Sequence, residues 1–259
     1  MGSQTPQRKL CGVFISTSER MYRLLVMLLT LASCAGMPTR ATLPSEITAV
    51  LPASCQQVLF VTAADDKTTA AELLLFHRNS ADVWKCFSNA IPVRIGRHGL
   101  AWGLGEPALP VPDGFRLKQE GDGCAPAGIF RITQAFGSEP RANWIKLPYI
   151  HCTSHHFGID DMRSRHYNQI VDAREVVCDW SSPETMVPAG GCYKLGAVIA
   201  HNPQNLPGRG SCIFLHLWQG ENVPTSGCTA MSEENLRSIL MWLDPEKDPR
   251  LVQLVRSRE

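Results

Sequence analysis

The chain has 259 residues and a formal net charge of +1 at neutral pH. This length suits one substantial domain with a tail. The near-zero charge excludes the strong electrostatic attraction to nucleic acid or to an anionic membrane surface that a basic protein has. A hydrophobic content of 44% predicts a packed core.

The N-terminal region has the three parts of an export signal. Residues 21–23 carry a positive charge, residues 24–31 are apolar, and residues 32–35 are small. The apolar run is too short to span a bilayer as a helix, so it predicts a signal peptide, with residues 1–20 as an over-extended start. The run that ends at Cys34 also resembles the lipobox of bacterial lipoproteins.

The lipobox resemblance implies cleavage before Cys34 and a lipid on its thiol. Because Ala35 follows, it further implies an exported, periplasmic protein that a lipid anchors in the outer membrane. Ordinary secretion with cleavage near Gly36 is the alternative. The predicted organisation is a start and signal peptide over 1–34, a proline-containing linker over 35–54 and a folded domain over 55–259.

Short apolar runs separated by turn residues predict a mostly β domain with few helices. The predicted strands lie at residues 56–62, 73–76, 82–87, 91–96, 128–132, 195–200, 213–218 and 251–255. Residues 96–128 are rich in glycine and proline and predict loops, and residues 137–192 are irregular. One helix is predicted from the apolar spacing between Leu236 and Leu243, with Ser232 as its N-cap and Pro245 as its end.

Ten cysteines suit an exported protein. Setting aside Cys11, the lipidation candidate Cys34 and the reactive candidate Cys228 leaves seven. At least one of these stays free or pairs between chains, and the spacing does not give the connectivity.

The irregular stretch contains two candidate binding segments. Residues 151–156 hold three histidines and a cysteine, which are zinc ligands, but their spacing matches no standard cluster and we predict no metal site. Further on stand Arg163, Arg165 and Tyr167. Because arginine forks bind carboxylates, we predict that these residues contact substrate. A salt-bridged loop is the alternative.

Cys228 ends a turn made by Thr225, Ser226 and Gly227, just ahead of the predicted helix. A helix N-terminus and a nearby histidine lower the pKa of a cysteine, and the thiolate is a nucleophile. The turn can present the sulfur, and its glycine lets backbone amides reach a developing oxyanion. The pattern predicts acyl transfer through a thioester. A buried or disulfide-bonded cysteine is the alternative.

His216, inside the apolar run before this turn, is the predicted general acid and base. We predict a resting thiolate–imidazolium pair with Cys228. The alternatives are a core histidine without a catalytic role, and His201 as the working base. A papain-like protease is disfavoured because the cysteine of those enzymes precedes the histidine.

Residues 121–130 form a glycine-rich turn that leads into a predicted strand. The run lacks the Gly-Lys-Ser/Thr ending of a phosphate-binding loop, so no nucleotide or other cofactor is predicted. From its residues alone the run is a structural turn.

Residues 121–130, 214–216 and 225–228 together resemble the catalytic domain of YkuD-type L,D-transpeptidases. The resemblance covers roughly residues 56–255 in element order, and its sharp parts are 121–130 and 212–231. It implies a β-sandwich-like fold and a Cys228–His216 site, with Thr225 at the substrate and the Leu217 carbonyl as third element. Two departures are Ser226, where the family most often has histidine, and residues 229–230, where it has an aliphatic residue and an arginine.

The resemblance implies an enzyme that acts on peptidoglycan stem peptides. The cysteine would attack the carbonyl of the third-position diamino acid of a tetrapeptide and release D-Ala. The thioester would then pass to an amine of a second stem, or to an outer-membrane lipoprotein. Two alternatives stay open: a hydrolase on the same scaffold, and a noncatalytic peptidoglycan-binding lipoprotein.

Overall fold

The computed structural model describes residues 1–2 and 41–256. The chain divides into an N-terminal unit that ends at Ala41 and a compact unit that begins at Thr42. The predicted signal peptide and the lipidation candidate Cys34 lie outside the described residues. Within the described ranges, no helix has the length and apolar character needed to cross a membrane.

Strands outweigh helices in the described residues, by 33% to 9%, which confirms the predicted mostly β domain with few helices. The strands are β1 (Gln57–Ala63), β2 (Ala70–Arg78), β3 (Trp84–Cys86), β4 (Ile91–Arg94), β5 (Leu100–Trp102), β6 (Ala125–Gly137), β7 (Tyr149–His151), β8 (His156–Ile159), β9 (Ile170–Asp172), β10 (Pro183–Thr185), β11 (Leu195–Ile199), β12 (Phe214–Leu217), β13 (Thr229–Met231) and β14 (Arg250–Val255). The helices are α1 (Ser45–Val50) and α2 (Glu233–Trp242), and a 3-10 turn spans Pro245–Lys247.

The main sheet closes on itself. Its pairing order is β1, β14, β6, β11, β12, β13, β4 and β2, and β2 pairs again with β1. Strands β3, β5 and β7 attach to this ring, while β8, β9 and β10 form a separate small sheet. The core is therefore barrel-like, whereas the sequence resemblance implied a sandwich-like arrangement.

The core of the ring is built from the inward side chains of the long strands and from one face of α2. On α2 the apolar spacing turns Leu236, Ile239 and Leu240 inward, and all three are buried. The hydroxyl of Ser232 accepts a hydrogen bond of 3.3 Å from the Asn235 amide, which confirms the predicted N-cap.

Helix α1 lies inside the predicted linker. The apolar side chains in and beside it pack against β1, β2, β6 and β14, and those that are buried are Leu43, Ile47 and Leu51. The compact unit therefore starts at Thr42 and not near Cys55. The six-residue helix is too short to show a clear helical period, and its preceding Pro44 fits a helix start as well as a linker.

The parallel pairing of β12 with β13 sets the geometry of the site. His216 is opposite Ala230, and Leu215 is opposite Thr229. Because side chains alternate along a strand, Cys228 faces the same side as Ala230, and therefore the same side as His216. The fold thus places the imidazole on β12 and the thiol directly before the neighbouring β13, on the same face of the sheet.

Candidate active site

A cavity of about 420 Å³ opens at Cys228. The residues of the predicted site that line it are His216, Thr225, Ser226, Gly227 and Cys228 itself. The lining also includes five charged side chains, and these are Arg97, Lys118, Glu120, Asp160 and Glu184. The structure therefore brings the predicted nucleophile, base and turn together at one concave surface.

The thiol of Cys228 is buried, with 7% of the residue exposed. Its sulfur accepts a hydrogen bond from the Phe214 amide at 3.3 Å and donates to the Cys212 carbonyl at 3.5 Å. Burial, and then the charge of Glu184, raise the pKa of the thiol, and the Phe214 amide only partly opposes them. The thiol is therefore neutral at neutral pH.

The imidazole of His216 has one ring nitrogen committed and one free. Nδ1 lies 2.8 Å from the Leu217 carbonyl oxygen and donates its hydrogen to it. Within the described residues Nε2 has no hydrogen-bond partner, so it is the acceptor nitrogen. The ring packs edge-on against Tyr193, with 5.2 Å between the centroids. The Leu217 carbonyl thus fixes the tautomer that a general base needs.

The burial of Cys228 and His216 disfavours the predicted resting ion pair. Burial lowers the pKa of the imidazole and raises the pKa of the thiol, so both groups favour their neutral forms. In the described part of the chain no hydrogen bond joins the two side chains directly. The predicted helix dipole is also absent, because β13 follows Cys228 and α2 begins only at Glu233.

Thr225 holds the turn that carries the nucleophile. Its Oγ1 accepts a hydrogen bond from the Gly227 amide at 3.1 Å and donates to the Cys228 carbonyl at 2.6 Å. The Gly227 amide is therefore occupied and does not point at an oxyanion, contrary to the prediction. Gly227 has a φ of +152°, and a Cβ there would lie 3.0 Å from the Cys124 carbonyl oxygen, so the turn requires glycine.

The glycine-rich run at 121–130 packs beside this turn. Its Asp122 accepts hydrogen bonds from the Lys118 ammonium at 2.6 Å and from the Gln119 and Cys124 amides, both at 2.8 Å. The side chain of Lys118 is only 4% exposed. A buried cation needs such a partner, so Asp122 fixes both Lys118 and the Cys124 carbonyl against which Gly227 rests.

Two of the predicted substrate contacts lie outside the lining of the cavity. Arg163 is exposed and pairs with Asp161 at 3.3 Å. Arg165 is exposed and pairs with Asp179 at 2.9 Å. Hydrogen bonds from Arg163 and then from Ser181 lower the pKa of Asp161, and hydrogen bonds from Ser164 and then from Arg165 lower the pKa of Asp179. The local carboxylates satisfy these guanidinium groups, so the segment is the salt-bridged loop that was the alternative.

Tyr167, the third predicted contact in this segment, is 2% exposed and does not line the cavity. Its hydroxyl donates a hydrogen bond to Glu120, which also accepts from the Ser211 hydroxyl at 2.7 Å. Tyr167 therefore orients the side chain of Glu120, which lines the cavity, but does not line the cavity itself.

Sequence reasoning missed several charged groups of the cavity. Arg97 donates to the Ser226 hydroxyl at 2.9 Å, and Tyr193 donates to Glu184 at 2.7 Å. The position of Arg97 directly after the predicted strand at 91–96 was a weak signal. Glu184 lies in the irregular stretch, where no pattern in the sequence singles it out.

His201 does not serve as the base. It is 1% exposed, its Nε2 lies 2.8 Å from the Arg209 carbonyl oxygen, and its Nδ1 accepts from the Leu104 amide at 3.3 Å. Both nitrogens are thus used in packing, and the ring lies outside the cavity lining. Its role is structural.

The histidine-rich segment at 151–156 is not gathered around a common centre. His151 contacts the Ser138 carbonyl and His156 contacts the Thr153 hydroxyl. Across residues 1–2 and 41–256 there is no group of three or more side chains arranged to hold a metal ion. All eight cysteines of the described ranges have free thiols.

The arrangement is suited to one kind of chemistry. A buried thiol, an imidazole with a free acceptor nitrogen and a concave polar surface are the parts of a nucleophile and general-base site. Comparisons with family models, with curated proteins and with solved structures find no match for this chain.

Proposed function

We propose that this protein is an exported peptidoglycan L,D-transpeptidase that acts on stem tetrapeptides through a thioester at Cys228. The observation that carries the proposal is the placement of His216 on β12 and of Cys228 directly before the parallel neighbour β13, at one cavity, with His216 Nε2 free. The fixed Nδ1 tautomer supports a base that accepts a proton at Nε2.

In the acylation step, His216 Nε2 takes the proton of the Cys228 thiol. The sulfur forms a bond to the carbonyl carbon of the third-position residue. The bond from that carbon to the D-Ala nitrogen breaks, and the departing amine takes the proton from the imidazole. The Cys228 amide, which makes no hydrogen bond within the described residues, is the proposed donor to the oxyanion.

In the transfer step, an acceptor amine gives a proton to His216 and attacks the thioester carbon. The carbon–sulfur bond breaks, and the thiol of Cys228 regains its proton. The acceptor is a second stem peptide or an outer-membrane lipoprotein. If water takes the place of the amine, the same site is a hydrolase, which is the second candidate function.

Arg97 is the proposed replacement for the arginine that the resembling family carries after its cysteine. Ala230 occupies the position of that arginine here, and this buried residue lines the cavity without a charge. Arg97 is exposed, lines the cavity and contacts Ser226. A guanidinium there can bind the carboxylate of the donor peptide.

The proposed location is the periplasm, with a lipid anchor in the outer membrane attached at Cys34. This part of the proposal rests on the signal-like residues 21–35 of the sequence. The protein would need neither a cofactor nor nucleic acid.

The test is intact-mass analysis of the purified protein after incubation with a disaccharide-tetrapeptide muropeptide. Cys228→Ala removes the nucleophile, and Cys178→Ala is the matched control because Cys178 is an exposed thiol away from the cavity. We expect a thioester adduct, or a cross-linked dimer with loss of D-Ala, in the wild type and in Cys178→Ala only.

Loss of D-Ala without a dimer would establish the hydrolase in place of the transferase. Neither an adduct nor turnover, with Cys228 still open to alkylation, would refute both enzymes. It would leave the noncatalytic peptidoglycan-binding protein, whose binding Cys228→Ala would not change.

A further inference from the structure

One wall of the Cys228 cavity is acidic. It consists of the carboxylates Glu120, Asp160 and Glu184, which we call the acidic wall. Glu120 and Glu184 accept hydrogen bonds from hydroxyl groups. The Asp160 side chain accepts none from the described residues.

The acidic wall has no cation of its own. None of its carboxylates pairs with a lysine, an arginine or a histidine of the described residues. Of the two cations of the cavity, Lys118 pairs with Asp122, and Arg97 donates to the Ser226 hydroxyl and forms no ion pair with the acidic wall. Partly buried charges of one sign are costly unless an opposite charge accompanies them, so the wall is suited to a ligand that brings a positive charge.

A second observation points to a ligand at the same place. His216 is 8% exposed, it lines the cavity, and its Nε2 has no partner in the described part of the chain. The ring of this largely buried residue is thus hydrogen-bonded at Nδ1 only, and a ligand in the cavity can supply the partner of Nε2. A ligand group in this cavity would satisfy the imidazole and the acidic wall together.

We propose that the acidic wall binds a primary ammonium group of the peptide substrate, and that this ammonium selects the substrates that reach Cys228. The inference rests on the proposed function, since it names the charge of the substrate at that site. Glu184 would make the main contact, because Tyr193 holds one of its oxygens at 2.7 Å and leaves the other for the ligand.

Binding of the ammonium would also activate the thiol. After burial, the charge of Glu184 is the largest contribution to the raised pKa of Cys228. Burial and the neighbouring carboxylates also raise the pKa of Glu184 itself. A bound ammonium offsets the carboxylate charge that opposes thiolate formation, so the occupied site should be more reactive than the empty one.

The first experiment measures the charge preference of the site without a peptide. The reagents are aminoethyl methanethiosulfonate, which is cationic, and sulfonatoethyl methanethiosulfonate, which is anionic. Each forms a mixed disulfide and releases methanesulfinate. Peptide mapping gives the ratio of the two rates at Cys228 and, as an internal reference, at the exposed Cys178.

We expect the cation-to-anion ratio at Cys228 to exceed that at Cys178 by about tenfold. Glu184→Gln and Asp160→Asn should each lower the ratio at Cys228, and the exposed Glu234→Gln on α2 is the matched control. Equal ratios at the two cysteines of the wild type would overturn the inference without any variant. A ratio that both cavity substitutions leave unchanged would also overturn it.

The second experiment uses muropeptides with a free or an N-acetylated side-chain amine. If the ammonium belongs to the donor, acetylation of the donor should slow thioester formation by about tenfold. If it belongs to the acceptor, only the transfer step should slow. If acetylation changes neither the rate of thioester formation nor the rate of transfer, the inference is refuted and the proposed function is unaffected. A charge preference with no thioester from any donor would refute the proposed function and leave the ammonium site.

Discussion

The hydroxyl of Thr225 lies 2.6 Å from the carbonyl oxygen of Cys228, and the same hydroxyl accepts the Gly227 amide at 3.1 Å. One side chain thus closes the turn on both sides of the glycine. Backbone hydrogen bonds of 3.0 Å and 2.8 Å tie the Thr225 peptide to Ile95 and Arg97. The nucleophile is therefore positioned by the segment after β4 as well as by β13.

Thr225→Val keeps the shape of the side chain and removes its hydroxyl. We expect a loss of about 1–3 kcal/mol in the free energy of unfolding, since a donor and an acceptor of the turn lose their partner. Alkylation of Cys228 by iodoacetamide should also change in rate. Urea unfolding measures the first effect. The exposed Thr185→Val on β10 is the control, and equal losses in the two variants would contradict the assigned role.

Gly227→Ala places a methyl group at a φ of +152°, 3.0 Å from the Cys124 carbonyl oxygen. Since backbone and not a flexible side chain opposes the methyl group, we expect destabilisation by about 1–3 kcal/mol and displacement of Cys228. Gly190→Ala is the matched control, because its nearest neighbour is a side-chain nitrogen at 3.6 Å. Thermal unfolding of the two variants measures the difference, and indistinguishable midpoints would count against this account of the turn.

The reactivity of Cys228 should follow a raised thiol pKa. Only the thiolate reacts, so the rate of alkylation by iodoacetamide should rise about tenfold per pH unit and continue to rise beyond pH 8.5, the approximate pKa of an ordinary cysteine. A small-molecule thiol measured in parallel should level off near that value. A plateau at Cys228 below pH 7 would restore the resting thiolate–imidazolium pair that the sequence predicted.

His201 should make the stability depend on pH. Burial lowers the pKa of its imidazole to about 4, whereas an unfolded histidine titrates near about 6.5. Its contribution is present above the unfolded pKa and is lost as the pH falls from about 6.5 to about 4, because the unfolded chain then binds the additional proton. The loss over this window is about 3 kcal/mol.

The measurement is the free energy of unfolding of the wild type and of His201→Gln across this pH window. The variant should be less stable at pH 7 and should lose less on acidification. The exposed His155→Gln serves as the control. Parallel curves for the wild type and His201→Gln would show that His201 does not carry the dependence.

The sequence predicts the secondary-structure elements correctly where its apolar residues form a clear pattern. The strands that correspond to β1, β2, β6, β11, β12 and β14, and helix α2 with its Ser232 cap, all follow from runs of apolar residues. Closure of the sheet could not be predicted from the sequence, because it depends on the pairing of β1 with both β2 and β14. A run of apolar residues predicts a strand but does not name its neighbours.

The sequence was sufficient to predict the nucleophile turn of the site, but not the charged residues around it. Cys228 follows a glycine turn and His216 lies in an apolar strand pattern, and both patterns can be recognised in the sequence. Glu184 reaches the cavity from β10 and Arg97 from the segment after β4, and both are far from Cys228 in the sequence. Arg163 and Arg165 were predicted to bind a carboxylate of the substrate. In the structure they bind the carboxylates of Asp161 and Asp179, which belong to the same loop. Burial, which decides the charge state of the thiol, is a property of the packed fold.

The parallel pairing of β1 with β14 joins the first and last strands of the ring. Until residues 250–255 have left the ribosome, β1 and β6 each lack a partner strand along one edge. Unpaired edges of this kind attract other chains, and contacts this distant in sequence form slowly. The ring should therefore close only once β14 is available, and a variant that lacks residues 250–255 should aggregate even though the nucleophile turn is intact.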